Sequence, residues 1–234
     1  MSADDWCLIV VFIMLGAFMW MHIEEDIKEE KMEKVRDNFR LFYNILTFNS
    51  SDEFYFVQII VRPKDGNKSA VGNNKNRLVK YYTIRSVEEL QKYEKEIKGI
   101  CEICNARAYI HTTKRAFSEV AKEMIMCTTA MYCAENYEGM KANFATACGR
   151  SFIAKDKKFL VDIDGNELDI NDIKAHIENY CEPLDKSKVL YEVPTLNGVH
   201  LICKPFNVAK FREKYPSIDL HKNNPTLLYY KKVI

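Results

Sequence analysis

The alternation of apolar and polar residues changes period several times along this chain, and each change marks an element. Trp6–Met21 is apolar without a break. From Ile23 to Leu46, Glu and Lys recur three and four apart, the spacing of an exposed helix, with Phe39, Phe42, Tyr43 and Leu46 as an apolar stripe. Glu53–Arg62 and Arg77–Arg85 are aromatic and β-branched, which predicts two strands. The polar segment Pro63–Asn76 between them reads as a mobile loop, so the pair predicts a hairpin. Ser86 with Glu89 is a capping box opening a helix that runs to Asn105.

Ala106–Thr112 predicts a strand, and Lys114–Ala134 and Tyr137–Cys148 predict helices. Lys158–Asp164 predicts a strand and Ile170–Tyr180 a helix. Val189–Val193 and Val199–Lys204 predict two strands joined through Pro194–Gly198, where Asn197-Gly198 is a strong hairpin signal. Val208–Lys214 predicts a short helix, and Ser217–Leu220 and Thr226–Tyr230 predict the last strands. The sum is an α+β domain with mixed, largely antiparallel sheets and flanking helices.

Composition narrows the class. A chain of 234 residues, 47% hydrophobic, holds one large domain or two small ones with a real core. The net charge of +1 excludes a strong overall nucleic-acid field, although the stretch from Lys204 onward is rich in Lys and Arg. The eight cysteines are scattered through segments that read as buried, which predicts reduced thiols and a cytoplasmic location. Cys101-Glu-Ile-Cys104 lacks the second pair that zinc requires. It also falls at a helix end, whereas a redox pair sits at a helix start, so it reads as structural.

The apolar run is divided from the rest: residues 1–31 form an apolar helix and charged linker, and residues 32–234 form the α+β domain. Sixteen uncharged residues from Trp6 to Met21, extended by His22 and Ile23, approach the shortest bilayer span of about 17 residues. Trp6 and Trp20 fit an interfacial belt. Three readings are open: a short membrane anchor, a helix docked on protein, or sequence upstream of a start at Met32. The expectation adopted is membrane or partner contact through residues 6–23.

Candidate chemistry begins at Lys158-Phe-Leu-Val-Asp162-Ile-Asp164. Side chains alternate along a strand, so Asp162 and Asp164 share a face about 6–7 Å apart, and Phe159, Val161 and Ile163 point oppositely, into a core. Two same-face carboxylates suit a hard divalent cation. Their ordinary reading is the end of a strand before an Asp-Gly-Asn turn. His200 lies two residues past Gly198 and shares a strand face with Lys204, which offers two donors to one anion. The ordinary reading of a lone histidine there is a backbone hydrogen bond. Asp219 follows Ile218 and is itself followed by His221, Lys222, Asn223 and Asn224.

An apolar strand with Asp-x-Asp, then Gly-x-His, then an apolar residue followed by Asp, resembles the catalytic core of the archaeo-eukaryotic primase superfamily, the primases and primase-polymerases. Asp162 and Asp164 match the first motif, His200 the second and Asp219 the third. The match is compact, with 36 residues from Asp164 to His200 and 19 from His200 to Asp219. Residues 32–234 are also similar to uncharacterised phage and gut-bacterial proteins, through Thr195-Leu-Asn-Gly-Val-His-Leu-Ile-Cys-Lys-Pro-Phe-Asn207 and Asp219-Leu-His-Lys-Asn-Asn-Pro-Thr226.

The resemblance implies a primase-polymerase-like core in which Asp162, Asp164 and Asp219 hold Mg²⁺ or Mn²⁺ and His200 contacts the phosphates of an incoming nucleotide. Lys204, His221, Lys222 and Arg107 are further candidates for phosphate or nucleotide. Arg107 shares a strand face with Tyr109 and His111, and Lys114 and Arg115 follow, so this stretch offers a groove for template. Its ordinary reading is an arginine snorkelling over a core aromatic. The implied partners are nucleoside triphosphates, a single-stranded DNA or RNA template and a replication partner protein. The implied activity is nucleotidyl transfer. The alternatives are a metal-dependent nuclease or phosphoesterase, and a non-catalytic nucleic-acid-binding module. No Gly-rich phosphate loop, zinc module or helicase motif accompanies the core.

Overall fold

Two antiparallel sheets form, each with an apolar face that finds a helical cover. A computed structural model describes residues 35–65, 75–165, 168–184 and 187–232. The N-terminal run at residues 6–23 lies outside the described residues. None of the described helices is long and apolar enough to cross a membrane.

The first sheet has six strands: β1 (Val35–Asp37), β2 (Glu53–Val61), β3 (Arg77–Ile84), β4 (Arg107–His111), β5 (Arg115–Ala116) and β10 (Pro225–Lys231). The main path runs β1-β10-β4-β2-β3, and β5 pairs with the start of β2. Tyr55, Val57, Ile59 and Val61 alternate onto one face of β2 and join a core with Phe39 and Phe42 of α1 (Phe39–Ile45) and Leu90 and Ile97 of α2 (Val87–Cys104). The serine cap of α2 forms as expected, with Glu89 N donating to Ser86 Oγ at 3.1 Å. Asn105 ends the helix in a left-handed conformation (φ 44°).

The second sheet has four strands in the order β7 (Val189–Pro194), β8 (Gly198–Cys203), β6 (Phe159–Asp164) and β9 (Asp219–His221). Phe159, Val161, Ile163, Leu201 and Cys203 pack against Ile173 and Ile177 of α5 (Ile170–Tyr180) and Phe211 of α6 (Val208–Lys214). A third, smaller core joins Phe54 and Phe56 of β2 to α3 (Phe117–Cys133) and α4 (Asn143–Arg150).

The sheets are tied along a polar seam. Asn38 is buried, and its Nδ2 donates to Pro194 O of β7 at 2.9 Å and to Leu227 O of β10 at 2.8 Å. Arg36 Nε donates to Thr195 O at 2.5 Å. Leu160, Val193 and Ile202 of the second sheet belong to the same core cluster as β2, β4 and α1.

Three expectations are corrected. Val35–Asp37 is a strand on β10, not part of a helix, because Arg36 and Asn38 are drawn to the seam. The helix expected from Lys114 begins at Phe117, since Arg115 and Ala116 pair with β2. The β7–β8 turn is centred on Leu196 and Asn197, one residue earlier than the Asn-Gly signal suggests: Thr195 N donates to Gly198 O at 2.9 Å. Gly198 is required for a different reason. A Cβ there would lie 1.9 Å from the Ile163 carbonyl oxygen.

Among the described cysteines most are buried, whereas Cys133 is exposed and Cys104 half-buried. Cys101 and Cys104 are free thiols at the end of α2, and burial pushes the Cys101 thiol up to about 12. A thiol so raised stays protonated and unreactive near neutrality.

Replacing Gly198 with alanine forces β8 away from β6. We expect G198A to destabilise the protein by about 1–3 kcal/mol, the usual cost of overpacking. Chemical denaturation of wild type and variant checks this, and an unchanged midpoint would contradict it.

Candidate functional site

The site is assembled by strand register. Asp162 sits in the middle of β6, opposite His200 of β8 on one side and opposite Asp219 of β9 on the other. Cross-strand partners share a face, so all three side chains leave the sheet on the side away from α5 and α6. Asp164 lies two residues along the same face and pairs with Gly198, which has no side chain to cover it. His221 pairs with Leu160 on that face as well.

A cleft of about 610 Å³ opens above this face. Asp162, Asp164, His200 and His221 line it from the second sheet, and Ile60, Arg62, Arg107 and Tyr109 line it from the first. Asp219 lines a smaller adjoining cavity of about 250 Å³, which shares Asp162 and Asp164 with the cleft. The four residues of the three sequence motifs therefore occupy one neighbourhood.

His200 Nε2 lies 3.0 Å from Asp162 Oδ1, and its Nδ1 lies 2.8 Å from Thr226 Oγ1. Burial alone would raise the Asp162 carboxyl. The His200 hydrogen bond and the charges of His200, His221 and Arg62 outweigh burial and hold it below the usual range. Asp162 is thus an ionised, half-buried acceptor, whereas Asp164 and Asp219 are exposed.

Carboxylate oxygens are the ligands a hard cation prefers, so the donor set fits Mg²⁺ or Mn²⁺ in kind and in strand placement. The side chains are not gathered into a cage. Among the described residues no group of three His, Cys, Asp or Glu converges closely enough to hold a metal ion. One Asp162 oxygen is engaged by His200 instead.

The remaining candidates divide. Arg107 lines the cleft, but Nε donates to Asp65 Oδ2 at 2.8 Å, a second bond joins its Nη2 to Asp65 Oδ1, and the guanidinium stacks on Tyr230 at 4.7 Å. Its charge is already matched, close to the ordinary reading of an arginine over an aromatic. Lys204 is exposed beyond the end of β8, and Ile202 between it and His200 is buried in the core, so the two donors do not meet one anion. Lys222 is exposed past β9 and does not line the cleft.

Lys114, Arg115 and His111 do not form a groove. Lys114 is buried against Glu53 (Nζ to Oε2, 2.7 Å). Arg115 is fully buried, donating to Cys148 O at 2.9 Å, Asn223 Oδ1 at 3.0 Å and His111 Nδ1 at 2.8 Å. Asn223 in turn donates to Gly149 O at 3.1 Å. This cluster ties the β9–β10 connection to the end of α4.

Two residues escaped the sequence reading as parts of the site: Arg62, which lines the cleft, and Thr226, which is buried and bonded to His200. Arg62 follows the last residue of β2, donates to the Tyr109 hydroxyl at 3.0 Å and has no ion pair among the described residues. Its signal was a cation at the end of an apolar strand, just before Pro63. Thr226 stood at the end of the Asp219–Thr226 motif and at the start of an aromatic strand, with no role read for its hydroxyl.

A comparison with protein-family models, with curated proteins and with solved structures finds no match.

Burial and the Arg115 charge hold the His111 imidazole well below its ordinary range. It stays neutral in the folded chain, while the unfolded chain takes up the proton below about pH 6.5. Stability is therefore fully present above that pH and falls as pH drops, by up to about 1.4 kcal/mol per pH unit. Urea unfolding at pH 7.5 and pH 5.5 checks the sign. Stability that stayed level or rose on acidification would contradict it.

Proposed function

We propose that this chain is a metal-dependent nucleotidyltransferase of primase-polymerase type, with a primase-polymerase-like core, acting on nucleoside triphosphates and single-stranded DNA or RNA. One observation carries the reading. The register of β6 between β8 and β9 brings Asp162, Asp164, His200 and Asp219, which belong to three separate motifs, to one sheet face, the first three lining the cleft and Asp219 the cavity adjoining it.

Phosphoryl transfer asks little covalent work of a protein and much positioning and charge stabilisation. Asp162, Asp164 and Asp219 are the residues that would hold Mg²⁺ or Mn²⁺. When bound, the metal supplies positive charge to the phosphate oxygens. Among the described residues His200, His221, Arg62 and Lys64 are donors that line the cleft. Arg107, matched by Asp65, stiffens the wall and does not compete for phosphate. Tyr109 offers an aromatic face for a base. A cleft of about 610 Å³ suits a nucleotide-sized ligand. A replication partner would help a chain this small to grip template, and cytoplasmic work with membrane contact through residues 6–23 belongs to the same proposal.

Asp162→Ala and Asp219→Ala are each expected to abolish Mg²⁺- or Mn²⁺-dependent incorporation of labelled nucleotide, with or without a primer. A wild-type chain that incorporates nothing on any template contradicts the reading. Cleavage of labelled DNA or RNA without extension would assign the site to a nuclease or phosphoesterase. Binding without turnover, unchanged in D162A, would assign a non-catalytic module.

A further inference from the structure

His200 touches side chains that belong to different sheets. Nε2 faces Asp162 within the four-stranded sheet at 3.0 Å, and Nδ1 faces Thr226 on β10 of the six-stranded sheet at 2.8 Å. A carboxylate can only accept, so Nε2 carries the hydrogen. In the neutral ring Nδ1 is then bare, and the Thr226 hydroxyl donates to it.

Thr226 is well placed to be a fixed donor. It is fully buried, it pairs with Ile110 of β4, and the carbonyl of its neighbour Leu227 is held by Asn38. A β-branched side chain is stiff at χ1, which limits where the hydroxyl can go. The imidazole is the looser partner, because the second torsion of histidine is broad and roughly two-fold. A single bond to half-buried Asp162 leaves that torsion free to swing. A second bond on the opposite nitrogen, anchored in the other sheet, does not.

We propose that Thr226 is a positioning residue for His200. Its hydroxyl holds Nδ1 inward and keeps Nε2–H aimed at Asp162 and the cleft. The aim of the imidazole is thereby tied to the alignment of the two sheets, through the seam that Asn38 and Arg36 also span. This claim about the ring stands on the two contacts alone. Its consequence for turnover rests on the nucleotidyl-transfer reading above.

Long-range ¹H–¹⁵N spectra of histidine-labelled protein test it at pH 8.5, well above the ordinary imidazole pKa of about 6.5. His200 is assigned by the signals lost in H200Q. Wild type is expected to show hydrogen on Nε2 and an acceptor shift on Nδ1 displaced by hydrogen bonding. T226S, which keeps the hydroxyl, should show the same pattern. T226V should lose the Nδ1 displacement, and its two nitrogens should begin to average as the ring flips. Hydrogen on Nδ1 of the wild type, alone or with Nε2, overturns the proposal without any Thr226 variant, so a T226V that fails to fold does not protect it. A folded T226V with the wild-type pattern also overturns it. In nucleotide incorporation, T226V should lose roughly tenfold in kcat/KM, the effect of one lost hydrogen bond, and T226S should recover most of it. Wild-type inactivity with the expected spectra would defeat the nucleotide reading and leave the positioning role standing.

Discussion

The register of β6 is the constraint on which the rest depends. Its side chains alternate, so a slip of one residue would send Asp162 and Asp164 into the helix-packed core and turn Val161 and Ile163 toward the cleft. Three devices prevent this. Phe159, Val161 and Ile163 are buried against α5 and α6, each contributing about 1.5–3 kcal/mol that a slip would forfeit. Gly198 lets β8 approach the Ile163 carbonyl where any side chain would collide. Gly165 N donates to Asn197 O at 2.9 Å, which locks the end of β6 to the β7–β8 turn. Burying two carboxylates without partners would add a further penalty of several kcal/mol.

The opposite face of β6 changes character along its length. Leu160, with Ile202 beside it, joins the core shared with the first sheet, while Asp162 and Asp164 turn to the cleft. One strand face therefore serves both as glue and as site. The consequence is a site carried by paired strands, which hold side chains more closely than loops do. Arg62, Arg107 and Tyr109 reach the cleft from the far sheet by the same alternation, since Ile60 pairs with Arg107 and Gln58 with Tyr109.

Much of this was legible locally. Ile170–Tyr180 and Val208–Lys214 form helices with the expected bounds, the Ser86 cap forms, β2 and β3 make their hairpin, and β6 divides its faces as its alternation requires. What was hidden is non-local. Val35–Asp37 has a helical pattern and becomes a strand because β10, almost two hundred residues later, offers an edge. Lys114 and Arg115 read as exposed cations, yet Glu53 and a set of carbonyls compensate them in the interior. Lys204 shares a parity with His200 but not a location, since the buried Ile202 separates them. The convergence of three motifs was an inference from their order alone, and strand pairing is what joins them.

The most direct measurement is diffraction at the manganese absorption edge from crystals grown with Mn²⁺ and a non-hydrolysable nucleoside triphosphate. An anomalous peak is expected among the carboxylates of Asp162, Asp164 and Asp219, with the triphosphate in the cleft beside His200 and Arg62. A peak or a nucleotide bound elsewhere, with that strand face left bare, would contradict it.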